Sequence, residues 1–367
     1  MRRHWQRRPL MVRAAFPEFA APIGREALFA LACHDDVESR LVSRARGRWA
    51  LRHGPFAPGE LPLRARRDWT LLVQGADLHD DEARALLSRF RFLPDARLDD
   101  LMISYAVDGG GVGPHLDSYD VFLLQAQGLR RWRIAPPGAH APVPDAPVKL
   151  IEDFESSDEW LLGPGDMLYL PPGWAHEGTA IGECITCSIG FRAPSRHELL
   201  AAWLIDRGDA AIGGADPRYA DAGARPSARP GAIPPAMHAQ LAQWLRGWRP
   251  KASEIDEFLG RFLTEPKPGV WFERPAARIS SATFARRCAD RGLRADRRTR
   301  LAHRGRNAFI NGESLALTRE TRRAVVRLCD ERALPPGAVP ETPVDSSLLA
   351  LLRAWFDAGW IHFQPQR

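Results

Sequence analysis

A chain of 367 residues with 45% hydrophobic and 26% charged residues has room for two or three domains and the ordinary make-up of a soluble globular protein. No stretch approaches the roughly 18–20 consecutive apolar residues of a spanning helix, and no apolar run follows the N-terminus, so membrane insertion and secretion are not expected. The net charge of +6 is weak evidence for a nucleic-acid partner: all the basic residues except Lys149, Lys251 and Lys267 are arginine, a bias that suits a GC-rich genome.

The five cysteines are odd in number and scattered, which argues for a reducing compartment and a cytoplasmic chain. Cys184 and Cys187 have ligand spacing, but no second pair completes a zinc site, and residues three apart face opposite sides of a strand. They read as core thiols.

The Arg-rich, acid-free opening superficially suits an organelle presequence, yet Trp5, Pro9 and the apolar run at 10–12 read better as a turn entering a first strand. Up to about residue 195 the chain is strand-like: short apolar runs at 71–73, 101–107, 121–124, 130–135, 167–170 and 185–191 alternate with Gly and Pro. Many short strands predict a sandwich or barrel, buttressed by a helix over 80–92.

After Ala193-Pro194 the pattern changes. Helical periodicity over 197–207, 236–246 and 254–263 brackets a Gly/Ala/Pro/Arg-rich connection at 208–235. A third unit mixes helices over 319–331 and 346–358 with a turn at Phe309-Ile-Asn-Gly-Glu313 and a last strand at 360–363, which is compatible with a winged helix. The predicted division is 1–195, 196–264 and 265–367. Nine arginines between Arg286 and Arg306 invite a nucleic-acid reading. A solvated helix face, interrupted by Asp290 and Asp296, accounts for them better, so direct nucleic-acid binding is not expected.

Within the strand-rich region stands GGGVGPHLDSYD, residues 109–120. In an extended segment His115 and Asp117 project to one face and can hold one metal ion together. A third ligand is offered by PGDMLYLPPGWAH, in which a Pro-Gly-Asp turn launches a short strand that ends rigidly just before His176. Two histidines and one carboxylate leave the open positions that Fe(II) needs for a bidentate cosubstrate and O₂.

A 2-oxoglutarate oxygenase also needs a cation for the distal carboxylate. In QAQGLRRWRI, Gln127-Gly128 is read as a hairpin turn. On the returning strand Arg130, Trp132 and Ile134 share the apolar face, which makes Arg130 the buried cation and leaves Arg131 and Arg133 in solvent. Gly109 to Gly113 are no dinucleotide loop, because Pro114 and a strand follow where a helix is required. They are read as a flexible approach to the metal face.

In this order RHWQRRP, SRLVSRARGRWALRHGPF, DDLMISYAVDGGGVGPHLDSYDVFLLQAQGLRRWRI, PGDMLYLPPGWAHEG and SIGFRAP resemble the JmjC-type 2-oxoglutarate oxygenases, and among them the bacterial ribosomal oxygenases. The resemblance is dense over the first 195 residues and only outlined beyond. It implies a double-stranded β-helix, a helical dimerisation region and a C-terminal winged helix, hence a homodimer. It implies Fe(II) on His115, Asp117 and His176, with 2-oxoglutarate and O₂ as cosubstrates and Arg130 on the distal carboxylate. The implied activity is hydroxylation of an arginine in a large-subunit ribosomal protein.

Histidyl hydroxylation or lysine demethylation are the nearest alternatives, and a non-catalytic cupin-like module on ribosomes or RNA is the alternative from another class. Thr186 and Ser188, on the strand after His176, are candidates for hydrogen bonds inside the barrel at the cosubstrate. Asp108 and Tyr119 are candidates for contacts to a cationic target side chain.

Overall fold

The computed structural model describes residues 3–63, 65–211, 218, 233–247, 249–339 and 346–365. The connection expected over 208–235 lies largely outside the described residues. The chain forms two compact units: one comprises residues 1–193, 266–299 and 331–367, and the other 194–265 and 300–330. The stretch read from sequence as one third unit, 265–367, is therefore shared between the two.

In the first unit ten strands make one sheet. They are β1 Leu10–Val12, β2 Ser39–Ala45, β3 Arg48–His53, β4 Trp69–Val73, β5 Leu98–Ala106, β6 His115–Leu116, β7 Val121–Ala135, β8 Asp158–Leu162, β9 Met167–Leu170 and β10 Ala175–Phe191. The main path runs β1-β9-β7-β10-β5-β4-β2-β3, with β6 paired to β10 and β8 to β7. Helices α1 (Arg25–Leu31) and α2 (Asp81–Ser88) flank this set. The result is the double-stranded β-helix expected from sequence.

Alternation explains how one sheet builds both a core and a cavity. On β5, Leu101, Ile103 and Tyr105 turn to a dry core with Trp69, Phe90, Phe122 and Phe191, while Asp100, Met102 and Ser104 face the cavity. Burying each such large apolar side chain contributes about 1.5–3 kcal/mol. Cys184 and Cys187 are free thiols buried in different apolar clusters, as opposite sides of β10 require.

Two local expectations are corrected. Gln127-Gly128 does not reverse the chain, because β7 runs on and pairs with β10 on both sides of it. Gly128 has φ +65°, and a Cβ there would lie 2.0 Å from Glu183 O, so the residue sits in a bend where the two strands slip register and press together. Helix α2 stops at Ser88 rather than Phe92. Arg89, Phe90 and Leu93 each donate to the carbonyl three residues back, closing four-residue turns ahead of Pro94, which disfavours helix in the residue before it.

The same unit contains α6 (Ser281–Arg291), β11 (Leu293–Ala295), β15 (Ala333–Leu334), α8 (Ser347–Asp357) and β16 (Ile361–Phe363), with strand order β15-β11-β16. Ser280 and Ser346 cap α6 and α8 through their side chains, each cap contributing about 1 kcal/mol. Part of the arginine run is tied down here, while Arg286 and Arg287 on α6 are exposed. Arg294 and Arg297 pair with Asp81, Arg291 bonds Gln364 O, and Arg298 bonds Leu78 O while lying over the Trp271 ring.

The second unit holds α3 (Arg196–Ala211), α4 (Pro235–Gly247), α5 (Ala252–Thr264), the meander β12 (Leu301–Arg304), β13 (Asn307–Ile310), β14 (Glu313–Ala316), and α7 (Arg319–Glu331). Gly260 lets α5 approach this sheet, since a Cβ would meet the Phe309 ring at 2.3 Å. Among the described residues no helix is long and apolar enough to cross a membrane.

Candidate metal centre and cosubstrate pocket

β6 is only two residues long, but its pairing with β10 places His115 directly across from His176. Asp117 follows at once, and its carbonyl accepts Gly173 N at 2.8 Å. The Pro-Pro-Gly-Trp turn before β10 is thereby fastened to the segment that carries the other two side chains. One ligand atom from each of His115, Asp117 and His176 lies within 4.8 Å of the others, with His176 Nε2 3.6 Å from Asp117 Oδ2.

The donor chemistry suits a divalent ion. His115 Nδ1 donates to Gly113 O and His176 Nδ1 to Trp174 O, both at 3.0 Å. A carbonyl can only accept, so the proton sits on Nδ1 and each Nε2 keeps its lone pair. Burial, reinforced by the neighbouring His115, holds the His176 pKa down to about 4, so its ring is neutral at physiological pH.

The triad opens into a cavity of about 930 Å³ that also contains Arg130, Thr186, Ser188 and Tyr119. Arg130 is 4% exposed, as are its neighbours Trp132 and Ile134 to within a few per cent, and the sequence-based choice of face holds. Its Nη1 donates to Ser104 Oγ at 3.2 Å and Thr186 Oγ1 at 3.3 Å, and its Nη2 to Gly178 O at 3.2 Å. Among the described residues its Nε has no hydrogen-bond partner; burial lowers its pKa, opposed by the Cys184 thiol and by no carboxylate.

A buried guanidinium without a counter-ion is costly unless an anion completes it. The pocket therefore fits a carboxylate ligand beside the metal. Trp132 stacks under the guanidinium at 5.1 Å, and both crowd against Gly178, where a Cβ would lie 2.7 Å from each.

Two residues that bear on this pocket were missed by sequence reasoning, Ser104 in its wall and Gln125 bonded to the wall residue Thr186. Ser104 shares the Arg130 donor with Thr186, its register partner on β10. Gln125 is fully buried, accepts the Thr186 hydroxyl at 2.9 Å and donates to the carbonyls of Gln127 and Gly128. The available signal for Ser104 was polarity recurring on one face of the strand at Asp100 and Ser104, as at Thr186 and Ser188.

Two further expectations need revision. Gly109 to Gly113 are not a flexible rim: Gly109 N bonds Ala180 O, Gly110 O accepts Ala180 N, and Cβ atoms on Gly110 and Gly111 would collide with Trp69 O and Gly178 O. Glycine is needed there for close backbone approach. Asp108 is not in the cavity wall; its carboxylate accepts Gly182 N at 2.9 Å and pairs with Arg67 at 2.5 Å. Tyr119 does line the cavity, its phenol hydrogen-bonded to Asp117 and its pKa raised by burial and by that carboxylate.

Comparison with known proteins agrees with this geometry. Residues 85–199 match the JmjC domain and residues 248–362 the ROXA-like winged helix. The chain is 34% identical to the ribosomal protein uL16 3-hydroxylase of Escherichia coli (strain K12), over 99% of this chain and 96% of that protein. The crystal structure of Escherichia coli YcfD matches with a TM-score of 0.86 at 33% identity, covering 99% of this chain and 96% of that one. The same ribosomal oxygenase in complex with cobalt and 2-oxoglutarate matches with a TM-score of 0.84 at 32% identity, covering 99% and 97%. The chain belongs to the JmjC-type bacterial ribosomal oxygenases, the family of the uL16 3-hydroxylase.

Proposed function

We propose that this protein is an Fe(II)- and 2-oxoglutarate-dependent hydroxylase of a large-subunit ribosomal protein, with an arginine side chain as target. The observation that carries the reading is the coexistence, in one cavity, of a His-Asp-His cluster with free Nε2 donors and a buried, uncompensated Arg130. His115, Asp117 and His176 would hold the iron. Arg130, with Ser104 and Thr186 on its Nη1, would hold the distal carboxylate of 2-oxoglutarate. Bound together with O₂, these groups supply the oxidising power for an unactivated C–H bond, with succinate and CO₂ as co-products.

The protein's own residues position and exclude. Trp132 lines the pocket and packs with Arg130 against Gly178, Gln125 orients the Thr186 hydroxyl, and Ser188 lines the wall two residues further along β10. An arginine target is supported by Tyr119 beside the metal cluster, whereas Asp99 and Asp100 in the cavity wall already share Lys267. The relative's name supplies uL16 as the substrate to test.

A homodimer is part of the proposal. In the second unit α3 exposes Leu200 and Leu204, and α4 exposes Met237, Leu241, Trp244 and Leu245, which are stripes with helical spacing. The deciding experiment incubates purified uL16 with the enzyme, Fe(II) and 2-oxoglutarate and fragments the product by mass spectrometry. One added oxygen atom located on an arginine is expected; oxygen on a histidine, or loss of methyl groups from lysine, would overturn the arginine assignment.

A further inference from the structure

β3 ends the ten-stranded sheet, and β2 is its partner. The two strands join through Arg46-Gly47, both at positive φ, 48° and 77°, the geometry of a two-residue type I′ turn. In such a hairpin the residues flanking the turn, Ala45 and Arg48, form a hydrogen-bonded pair, and bonded and non-bonded pairs then alternate. Arg44 opposite Trp49, Val42 opposite Leu51 and Arg40 opposite His53 are thus the non-bonded pairs. Two backbone bonds agree with this parity: Arg44 N donates to Asp68 O, on the side away from β3, and Gly54 N donates to Ser39 O.

The N–H and C=O groups of Trp49, Leu51 and His53 therefore point outward from a free edge. Among the described residues no backbone group bonds to them. The same three residues turn their side chains to the catalytic end of the fold. Leu51 and His53 line the cavity, and the Trp49 ring lies 2.9 Å from where a Cβ on Gly113 would be, while Gly113 O holds His115 Nδ1. Arg48, Ala50 and Arg52 occupy the other face and are exposed.

Edge strands are ordinarily blunted by shortness, proline, charged side chains, a bulge or a cover, and here the charges of Arg48 and Arg52 stand on the face away from the cavity. β3 has six residues, no proline and an unbroken register with β2. An edge left open along the wall of a substrate cavity has the form of a recognition strand.

We infer that β3 is the docking strand for the protein substrate: an extended segment of the ribosomal protein adds to its free edge and delivers every second side chain toward the cavity. The inference rests on the hydroxylase reading above and states how that substrate is held. Main-chain pairing supplies affinity, and the cavity beside Leu51 and His53 selects the side chain.

The test measures amide hydrogen exchange of the full-length chain with and without purified uL16, alongside turnover. Exchange at Trp49, Leu51 and His53 should slow by about 10-fold or more on saturation, the equivalent of roughly 1.4 kcal/mol, while Arg48, Ala50 and Arg52, already bonded to β2, change little. As a second arm, Leu51→Pro removes an outward donor without touching the β2 ladder, and Leu51→Ala removes the side chain but keeps the donor. Leu51→Pro should raise the KM for uL16 about 10-fold above that of Leu51→Ala, with equal KM for 2-oxoglutarate.

Hydroxylation of uL16 with no protection at the three amides overturns the proposal, whether or not Leu51→Pro folds. So do equal KM values in the two variants, and so does protection that rises with chain concentration alone, which would make the edge a contact between copies. Protection by uL16 without hydroxylation would sustain the docking strand and sink the hydroxylase reading.

Discussion

His115 and His176 are cross-strand partners in the β6–β10 pair, with ring centroids 4.2 Å apart. Each ring is locked by the same device, an Nδ1 donating to the carbonyl two residues earlier. The backbone alone thus sets the tautomer and direction of both imidazoles, and Asp117 completes the set from the residue after β6. Nothing in the arrangement depends on a distant loop, which makes the cluster a preformed site.

Asp117→Ala should remove a charge-bearing ligand while leaving both histidine anchors in place. Iron affinity should fall by more than the ~10–100-fold that loss of an outer partner costs, and succinate formation should cease. Metal content after dialysis and substrate-dependent succinate release check this together. Full turnover in the variant would dismiss the cluster as the iron site.

Arg130→Ala should act on the cosubstrate rather than the metal. Truncating one partner of a buried charge pair costs at least about 2 kcal/mol, so the KM for 2-oxoglutarate should rise about 30-fold or more. Iron binding should be unchanged. Arg130→Lys should recover only part of the loss, since an ammonium cannot reproduce the fork that reaches Ser104, Thr186 and Gly178 together.

Tyr119→Phe separates two roles of one residue. If the phenol contacts the target, the KM for uL16 rises and the KM for 2-oxoglutarate is unaffected. If it acts through its hydrogen bond to Asp117, iron affinity falls as well. We expect the first outcome, with a change of about 10-fold, the value of one hydrogen bond to a charged group. Titrations of iron and of uL16 decide between them.

The parts of this site that were legible in sequence are those carried by strand alternation. His115 and Asp117 on one face, and Arg130, Trp132 and Ile134 on one face, follow from period two alone. Gln127-Gly128 and the glycines of 109–113 misled for a shared reason. Glycine marks a backbone position with no room for a Cβ, and close packing by Glu183 O, Trp69 O or Gly178 O leaves the same residue behind as a turn or a flexible loop does. Period two put Ser104 on the polar face of β5, but its role and that of Gln125 stayed hidden because both depend on register between strands far apart in sequence. The arginine run of 286–306 shows the same limit in part: Arg286 and Arg287 are exposed on α6 as a solvated face requires, but Arg297, Arg298 and Arg291 are tied to Asp81, Leu78 O and Gln364 O.

Asp166, in the turn that launches β9, should make stability depend on acid. Burial raises its pKa, but Ala14 N at 2.9 Å, Gly163 N at 3.0 Å and Arg13 at 2.6 Å outweigh burial and lower it below the usual aspartate value. A carboxyl with a depressed folded pKa stabilises above its unfolded value, about 3.9, and loses that contribution as pH falls through the folded value. Asp166→Asn should therefore cost about 1 kcal/mol at pH 7, since Arg13 is largely exposed and water screens the pair. Urea denaturation should show the gap between wild type and variant closing below pH 4; a gap independent of pH would mean that the ionised form contributes nothing.

The exposed stripes of α3 and α4 should mediate self-association. Leu204 is 53% and Leu241 52% exposed, and each leucine buried in a contact contributes about 1.5–3 kcal/mol. In a two-fold contact the same patch is used twice, so a single glutamate placed there introduces two charges into the interface. Leu204→Glu combined with Leu241→Glu should convert a dimer to a monomer at micromolar concentration. Light scattering checks the mass, and circular dichroism checks that α3 and α4 remain helical. A wild-type chain that is already monomeric under these conditions would remove the homodimer from the proposal, and a double variant that stays dimeric would place the interface on another surface.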